Sequence, residues 1–238
     1  MKIRERVLAV VVAALAPSAL AQTVDVPVPL QGPGKTVRIT TPAGTSTLFA
    51  GQLRHTMSNA SGNDAWLNGP QVTYSLSPLA PLGSGTLSYT VSTVASASFA
   101  DPFGAAKADA IEQYFNNAQN LMVDPASSPD FAACVQLLIW ETMYDYDPFA
   151  GPSSVSLTSG SFTAAKSNGT PLSSSFMGIF NSFVGALDAL PDAGFRVSAL
   201  RHEDAAEYVA VHQVPAPGAA VVAGLAGASL IRRRRRPA

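Results

Sequence analysis

The stretch Phe131–Asp147, FAACVQLLIWETMYDYD, decides how this chain folds. From Phe131 to Trp140 it carries no charge, and Gln136 is the only strongly polar side chain. A helix that is apolar on every side is a buried helix. Ser128 as cap and Pro129 at the first helical position open it. A buried glutamine has two donors and an acceptor to satisfy, so the sequence predicts a bonding partner for Gln136 elsewhere in the fold.

Two further helices flank this one. Asp101-Pro102 reads as a cap and first-turn proline, followed by Ile111, Tyr114, Phe115, Ala118, Leu121 and Met122 at three- and four-residue spacing. A third helix, from about Ser173 to Leu190, buries Phe176, Ile179, Phe180, Phe183, Val184 and Leu187. The Ser/Gly/Thr-rich link before it reads as a long loop with a short strand at Ser154–Leu157.

On either side of the helices the pattern is β. Thr36–Thr40 and Thr45–Met57 are strands separated by Pro42-Ala43-Gly44, and Gln71–Leu79 continues the pattern. Ser58–Pro70 is turn-rich, with Trp66 pinning it to the body. Thr86–Val94 alternates, with Leu87, Tyr89 and Val91 on one face. Phe195–His202 and Glu207–Val214 form a closing hairpin. The predicted class is therefore α+β, an antiparallel sheet or sandwich with a helical insertion of about three helices.

Both ends carry export signals. Lys2, Arg4 and Arg6 precede the apolar run Val7–Ala16 and the small-residue site Ala19-Leu20-Ala21, so residues 1–21 read as a signal peptide. At the far end, residues 214–238 carry a proline motif, an apolar stretch Gly218–Ile231 and the cluster Arg232, Arg233, Arg234, Arg235 and Arg236. Its apolar stretch is fourteen residues, short of the roughly twenty a bilayer-spanning helix needs. The reading is a short membrane helix with a basic cytoplasmic flank. A nucleic-acid role for the arginines is excluded by their place after an apolar segment in an exported chain.

What remains, residues 22–213, is one domain by length. It holds seven cations, Lys35, Arg38, Arg54, Lys107, Lys166, Arg196 and Arg201, against fifteen acids, a net charge of −8 where the whole chain carries −1. Such an acidic body opposes nucleic acid and anionic lipid. The single cysteine, Cys134, allows no intramolecular disulfide and reads as a small core residue.

The tail, with Val214, Pro215, Ala216 and Pro217 as its motif, resembles the PEP-CTERM sorting signal, with alanine where the name-giving glutamate stands. That resemblance implies processing by an exosortase, a membrane-embedded transpeptidase. It also implies delivery to the cell surface or the extracellular matrix, with extracellular polysaccharide or matrix components as partners.

The body resembles, from about Thr36 to Asp147, the thioester domain of bacterial surface proteins. Phe49–Leu53 (FAGQL) is similar to its first strand, Thr73–Leu79 (TYSLSPL) to its cysteine strand and Gln136–Glu141 (QLLIWE) to its glutamine helix. The resemblance makes Gln136 the acyl donor, with Trp140 and Glu141 shaping its pocket. The cysteine position falls on Ser75, whose hydroxyl makes no thioester and is a poor unaided nucleophile. Two outcomes remain for the pair. Ser75 could form an ester with Gln136, helped by Glu141, Asp145 or His55, or its hydroxyl could donate a hydrogen bond to the Gln136 carbonyl. The spacing places no adjacent base, which favours the hydrogen bond.

Other constellations are thin. His55, His202 and His212 have no metal-ligand spacing, and no nucleophile turn exists for a triad. Asp145 and Asp147 fall short of a calcium loop. No cofactor and no metal are expected, and a hydrolase is disfavoured. Tyr74, Trp66 and Tyr89 could form a sugar-stacking face, but aromatics on such strands are core more often than platforms. The expected role is structural or adhesive and not enzymatic, with non-covalent glycan binding through Ser58–Pro70 as the alternative.

Overall fold

The computed structural model describes residues 22–97, 103–120, 127–187, 189–191 and 193–214. Eight strands form one antiparallel sheet: β1 (Thr23–Pro27), β2 (Leu30–Thr41), β3 (Gly44–Met57), β4 (Gly69–Ser75), β5 (Thr86–Ser92), β6 (Thr163–Lys166), β7 (Phe195–Arg201) and β8 (Tyr208–Gln213). Their order is β1-β5-β7-β8-β4-β3-β2-β6. Three α-helices, α1 (Gly104–Asn120), α2 (Pro129–Asp145) and α3 (Ser174–Gly185), are inserted between β5 and β7, with β6 between α2 and α3. The domain is α+β, as the run of patterns predicts.

The sheet bends back on itself. Asp25 and Ser58 exchange two backbone bonds of 2.8 and 3.1 Å, which ties β1 to the end of β3. His55 Nδ1 donates to the Pro27 carbonyl at 2.9 Å across the same seam. Strands β1, β5, β7, β8, β4 and β3 thus enclose an interior, while β2 and β6 extend beyond it.

Strand alternation divides the core in two. Val24, Val26, Leu53, Met57, Tyr89, Leu200, Tyr208 and Ala210 fill the enclosed interior. Val37, Ile39, Ala50, Tyr74, Leu76, Ala199 and Val209 face outward against the three helices. Leu87 and Val91 pack with Tyr89 inside, on the face the alternation predicts. A strand whose residues are apolar on both faces needs both layers, which is why the helices are there.

Helix α2 is the centre of the outer layer. Ala132 through Met143 are all buried, Gln136 and Glu141 included. Ser128 Oγ accepts from the Asp130 amide, and Pro129 sits in the first turn. Helix α1 contributes Ile111, Tyr114, Phe115 and Ala118, and α3 contributes Phe176, Phe180 and Phe183. Cys134 is buried in the same layer, and burial, with the Asp130 charge adding to it, pushes its thiol pKa far up.

Two expectations need correction, and one strand has a pattern too faint to read from sequence. Ser154–Leu157 is not a strand: Gly151–Ser154 is a 3-10 turn, and the strand of this link is β6, whose Ala164 amide reaches back to the Leu157 carbonyl at 2.9 Å. Helix α3 stops at Gly185, short of Leu190, with Ser173 as its cap. Strand β1 lies in a stretch whose Val24/Val26 alternation is only five residues long, too short to stand out. The expected cap Asp101-Pro102, with Leu121 and Met122, lies outside the described residues, as do the signal peptide and the tail from Pro215 onward. No helix among the described residues is long and apolar enough to cross a membrane.

Candidate functional site

The partner of Gln136 is Ser75. Gln136 comes from the middle of α2, Ser75 from the last position of β4, and both are buried. The contact has a different chemistry from the one the sequence suggests. Gln136 Oε1 accepts from the Ser75 backbone N–H at 2.9 Å, and Gln136 Nε2 donates to the Ser75 carbonyl at 2.7 Å. The Ser75 hydroxyl takes no part, because it donates to the Ser77 carbonyl at 2.9 Å.

The strand register explains this arrangement. Strands β3 and β4 pair from Met57–Gly69 to Leu53–Thr73 and then stop. Extending that register would set Ser75 opposite Gly51, where no β3–β4 pair forms. On the other side the Leu76 amide bonds the Glu207 carbonyl at 2.8 Å. In an antiparallel ladder adjacent residues point their amides to opposite sides, so the Ser75 N–H and C=O face the gap beside β3. The Gln136 carboxamide fills that gap and supplies the donor and acceptor a strand residue would have supplied.

Side-chain direction settles the role of the hydroxyl. Tyr74 and Leu76 lie in the helix-facing layer, so Ser75 points the other way, beside its cross-strand partner Tyr208 in the enclosed interior. Its Oγ and the Gln136 carbonyl therefore approach from opposite faces of the sheet.

The expected neighbours divide. Trp140, one turn after Gln136, lies on the same side of α2 and packs toward Phe162, with ring centroids 6.4 Å apart. Glu141 lies about 140° round the helix from Gln136. Its Oε1 accepts from the Ser156 amide at 2.7 Å, while its Oε2 and Trp140 Nε1 have no partner. Burial raises the Glu141 pKa to about 8, the Ser156 amide opposes that shift, and Asp145 adds to it. Asp145 is itself occupied, accepting from the Phe162 amide at 2.7 Å.

His55 is buried with both nitrogens committed. Nδ1 donates to Pro27, so neutral Nε2 accepts from the Thr73 hydroxyl at 3.0 Å. Burial lowers its pKa, with the Pro27 carbonyl opposing. None of Glu141, Asp145 and His55 bonds the Ser75 hydroxyl. Gln52, from the FAGQL strand, donates Nε2 to the Tyr74 hydroxyl at 3.1 Å, and its Oε1 has no partner.

The other sequence-level candidates do not assemble. Tyr74 packs against Phe115 outside the sheet, Tyr89 lies inside it, and Trp66 stacks on His212 with ring centroids 4.1 Å apart. The Ser58–Pro70 loop is closed on itself, with Asn68 bonding both the amide and carbonyl of Ala60. Asp145 and Asp147 cap different turns, and no group of three metal-ligating side chains exists among the described residues. Val214 closes β8 by bonding the Gly194 carbonyl at 2.7 Å. The remaining sorting-motif residues and the five arginines lie outside the described residues.

No family model matches the chain, and no curated protein or solved structure matches it.

Proposed function

We propose that the chain is an exported surface or matrix protein whose body is a thioester-type domain turned to a structural role. The observation that carries this reading is the commitment of the Gln136 carboxamide to the Ser75 main chain. A glutamine on a buried helix meets the strand residue at the position where the resemblance puts a cysteine. With serine there, no thioester forms, and the carboxamide acts as a brace between α2 and the sheet. Covalent attachment is thereby replaced by a rigid, non-enzymatic body.

The ends supply the rest of the proposal. Residues 1–21 direct export. The Val214–Pro217 motif, the apolar segment and Arg232–Arg236 hold the protein at the membrane until an exosortase-like transpeptidase delivers it to the surface or to a polysaccharide matrix. An acidic body of low charge density suits a hydrated matrix and opposes adhesion to anionic lipid.

The test is Ser75→Cys in the full chain. The position-75 side chain faces the enclosed interior, so the new thiol should leave the Gln136 carboxamide intact, and the variant should keep the mass of its sequence and ignore methylamine. A variant lighter by one ammonia, or one that takes up methylamine, would show the thiol reaching Gln136 and would overturn the structural role.

A further inference from the structure

We infer that Asn168 is a self-modifying site, which converts in the folded chain to a mixture of aspartate and isoaspartate. The inference does not depend on how Ser75 and Gln136 are read.

An asparagine followed by glycine carries its own nucleophile. The glycine amide nitrogen can close a five-membered ring on the side-chain carbonyl carbon, and no Cβ on the second residue blocks the approach. The chain holds two such pairs, Asn68-Gly69 and Asn168-Gly169. The fold treats them oppositely.

Asn68 is clamped. Its Oδ1 accepts from the Ala60 amide at 3.0 Å, and its Nδ2 donates to the Ala60 and Ala65 carbonyls at 2.8 and 3.1 Å. All of these bonds would have to break before its carboxamide carbon could meet the Gly69 nitrogen.

Asn168 sits in an exposed turn at the end of β6. The turn is closed by the Gly169 N–H on the Lys166 carbonyl at 2.7 Å and the Lys166 N–H on the Thr170 carbonyl at 2.9 Å. Asn168 Oδ1 accepts from the Thr170 amide at 3.1 Å and from the Thr170 hydroxyl at 2.7 Å. Those two bonds fold the carboxamide over the Gly169 peptide. The Asn168 Nδ2, which is the leaving group, has no partner among the described residues.

The same bonds serve the reaction. When the Gly169 nitrogen gives its proton to hydroxide and attacks the Asn168 side-chain carbon, negative charge develops on Oδ1. The Thr170 amide and hydroxyl already point at that atom, and the charge strengthens both bonds. The Arg38 guanidinium lies over Gly169, its Nη1 2.9 Å from where a Cβ would stand, and its charge favours the ionised nitrogen. The tetrahedral carbon then expels Nδ2 as ammonia, with the proton supplied by water, and a succinimide is left. Water opens that ring at either carbonyl, giving aspartate or isoaspartate. The Gly169 bond to Lys166 opens first, as an exposed turn held by so few backbone bonds does by local fluctuation. The product places a new carboxylate at the β2–β6 edge beside Arg38, and it accumulates with the age of the molecule.

The experiment holds the freshly purified full chain in detergent at mildly alkaline pH for days to weeks and maps both asparagines by peptide mass spectrometry. The expected result is that the Asn168 peptide exchanges ammonia for water, as both aspartate and isoaspartate, while the Asn68 peptide keeps its mass. Locating the change by peptide separates it from any loss of ammonia at Gln136. Thr170→Val removes the hydroxyl bond and slows the conversion about two- to tenfold. The proposal is overturned if Asn168 keeps its mass over a period in which a free peptide of residues 166–171 converts. Conversion of Asn68 at an equal rate overturns it too, as does an unchanged rate in Thr170→Val.

Discussion

Glu141 offers a prediction whose sign and size both follow from its surroundings. Its carboxyl is fully buried, holds one backbone amide and has one oxygen without a partner. Burial, which disfavours the charged form, raises its pKa from 4.5 to about 8. Below pH 4.5 the folded and unfolded chains are both protonated there, and the group contributes no pH dependence. Between 4.5 and 8 the unfolded chain has released the proton and the folded chain keeps it, so stability falls as pH rises. Above 8 both forms are ionised, and the folded state bears the whole cost of a buried carboxylate. A displacement of this size corresponds to about 4–5 kcal/mol at most, at 1.36 kcal/mol per pKa unit. Urea denaturation of the full chain at about pH 5 and about pH 8.5 measures it, beside Glu141→Gln, which keeps the acceptor for Ser156 and cannot ionise. The wild type should lose about 3–5 kcal/mol more than the variant over that range. Equal losses in the two proteins, or a wild type that gains stability with pH, would refute the reasoning.

Three further outcomes follow from the same geometry. Gln136→Leu leaves the Ser75 N–H and C=O buried without partners and should cost about 2–5 kcal/mol, read as a lower urea midpoint; a loss under about 0.5 kcal/mol contradicts the brace. Gly51→Ala would drive a Cβ into the Pro33 carbonyl and Gly34 Cα, and should cost about 1–3 kcal/mol by the same assay, whereas Gly44→Ala, which meets no neighbour, lacks that clash. His55 should titrate below the usual 6.5 in an NMR pH series. The folded chain resists a proton that the unfolded chain takes, so this contribution to stability is present above pH 6.5 and is lost as pH falls below it. Replacement by Gln should flatten the acid limb of the stability curve.

The helices and the closing hairpin were legible because their signals are local. Ser128-Pro129, the apolar run of α2 and the alternation of Leu87, Tyr89 and Val91 each state a period and a boundary. The closure of the sheet was not legible, since it rests on two backbone bonds between Asp25 and Ser58, distant residues with no distinguishing side-chain pattern. Strand β6 was placed about nine residues too early, because Thr163–Lys166 is short and acquires its strand character only by pairing with β2.

At the candidate site, the need for a Gln136 partner could be read from a lone amide in an apolar helix, and the resemblance pointed to position 75. The chemistry of the contact could not be read. A side-chain pattern says nothing about where a ladder stops, and it is the end of β3–β4 pairing at Leu53–Thr73 that exposes the Ser75 main chain to Gln136.

The central claim is that Gln136 remains an intact carboxamide held by the Ser75 backbone. The measurement that tests it most directly is the intact mass of the purified full chain beside Ser75→Ala. Each mass should match its own sequence, with the same signal-peptide cleavage in both. A wild type lighter by one ammonia, with the deficit absent from Ser75→Ala, would mean that an ester joins Ser75 Oγ to the Gln136 acyl carbon, and the brace described here would be wrong.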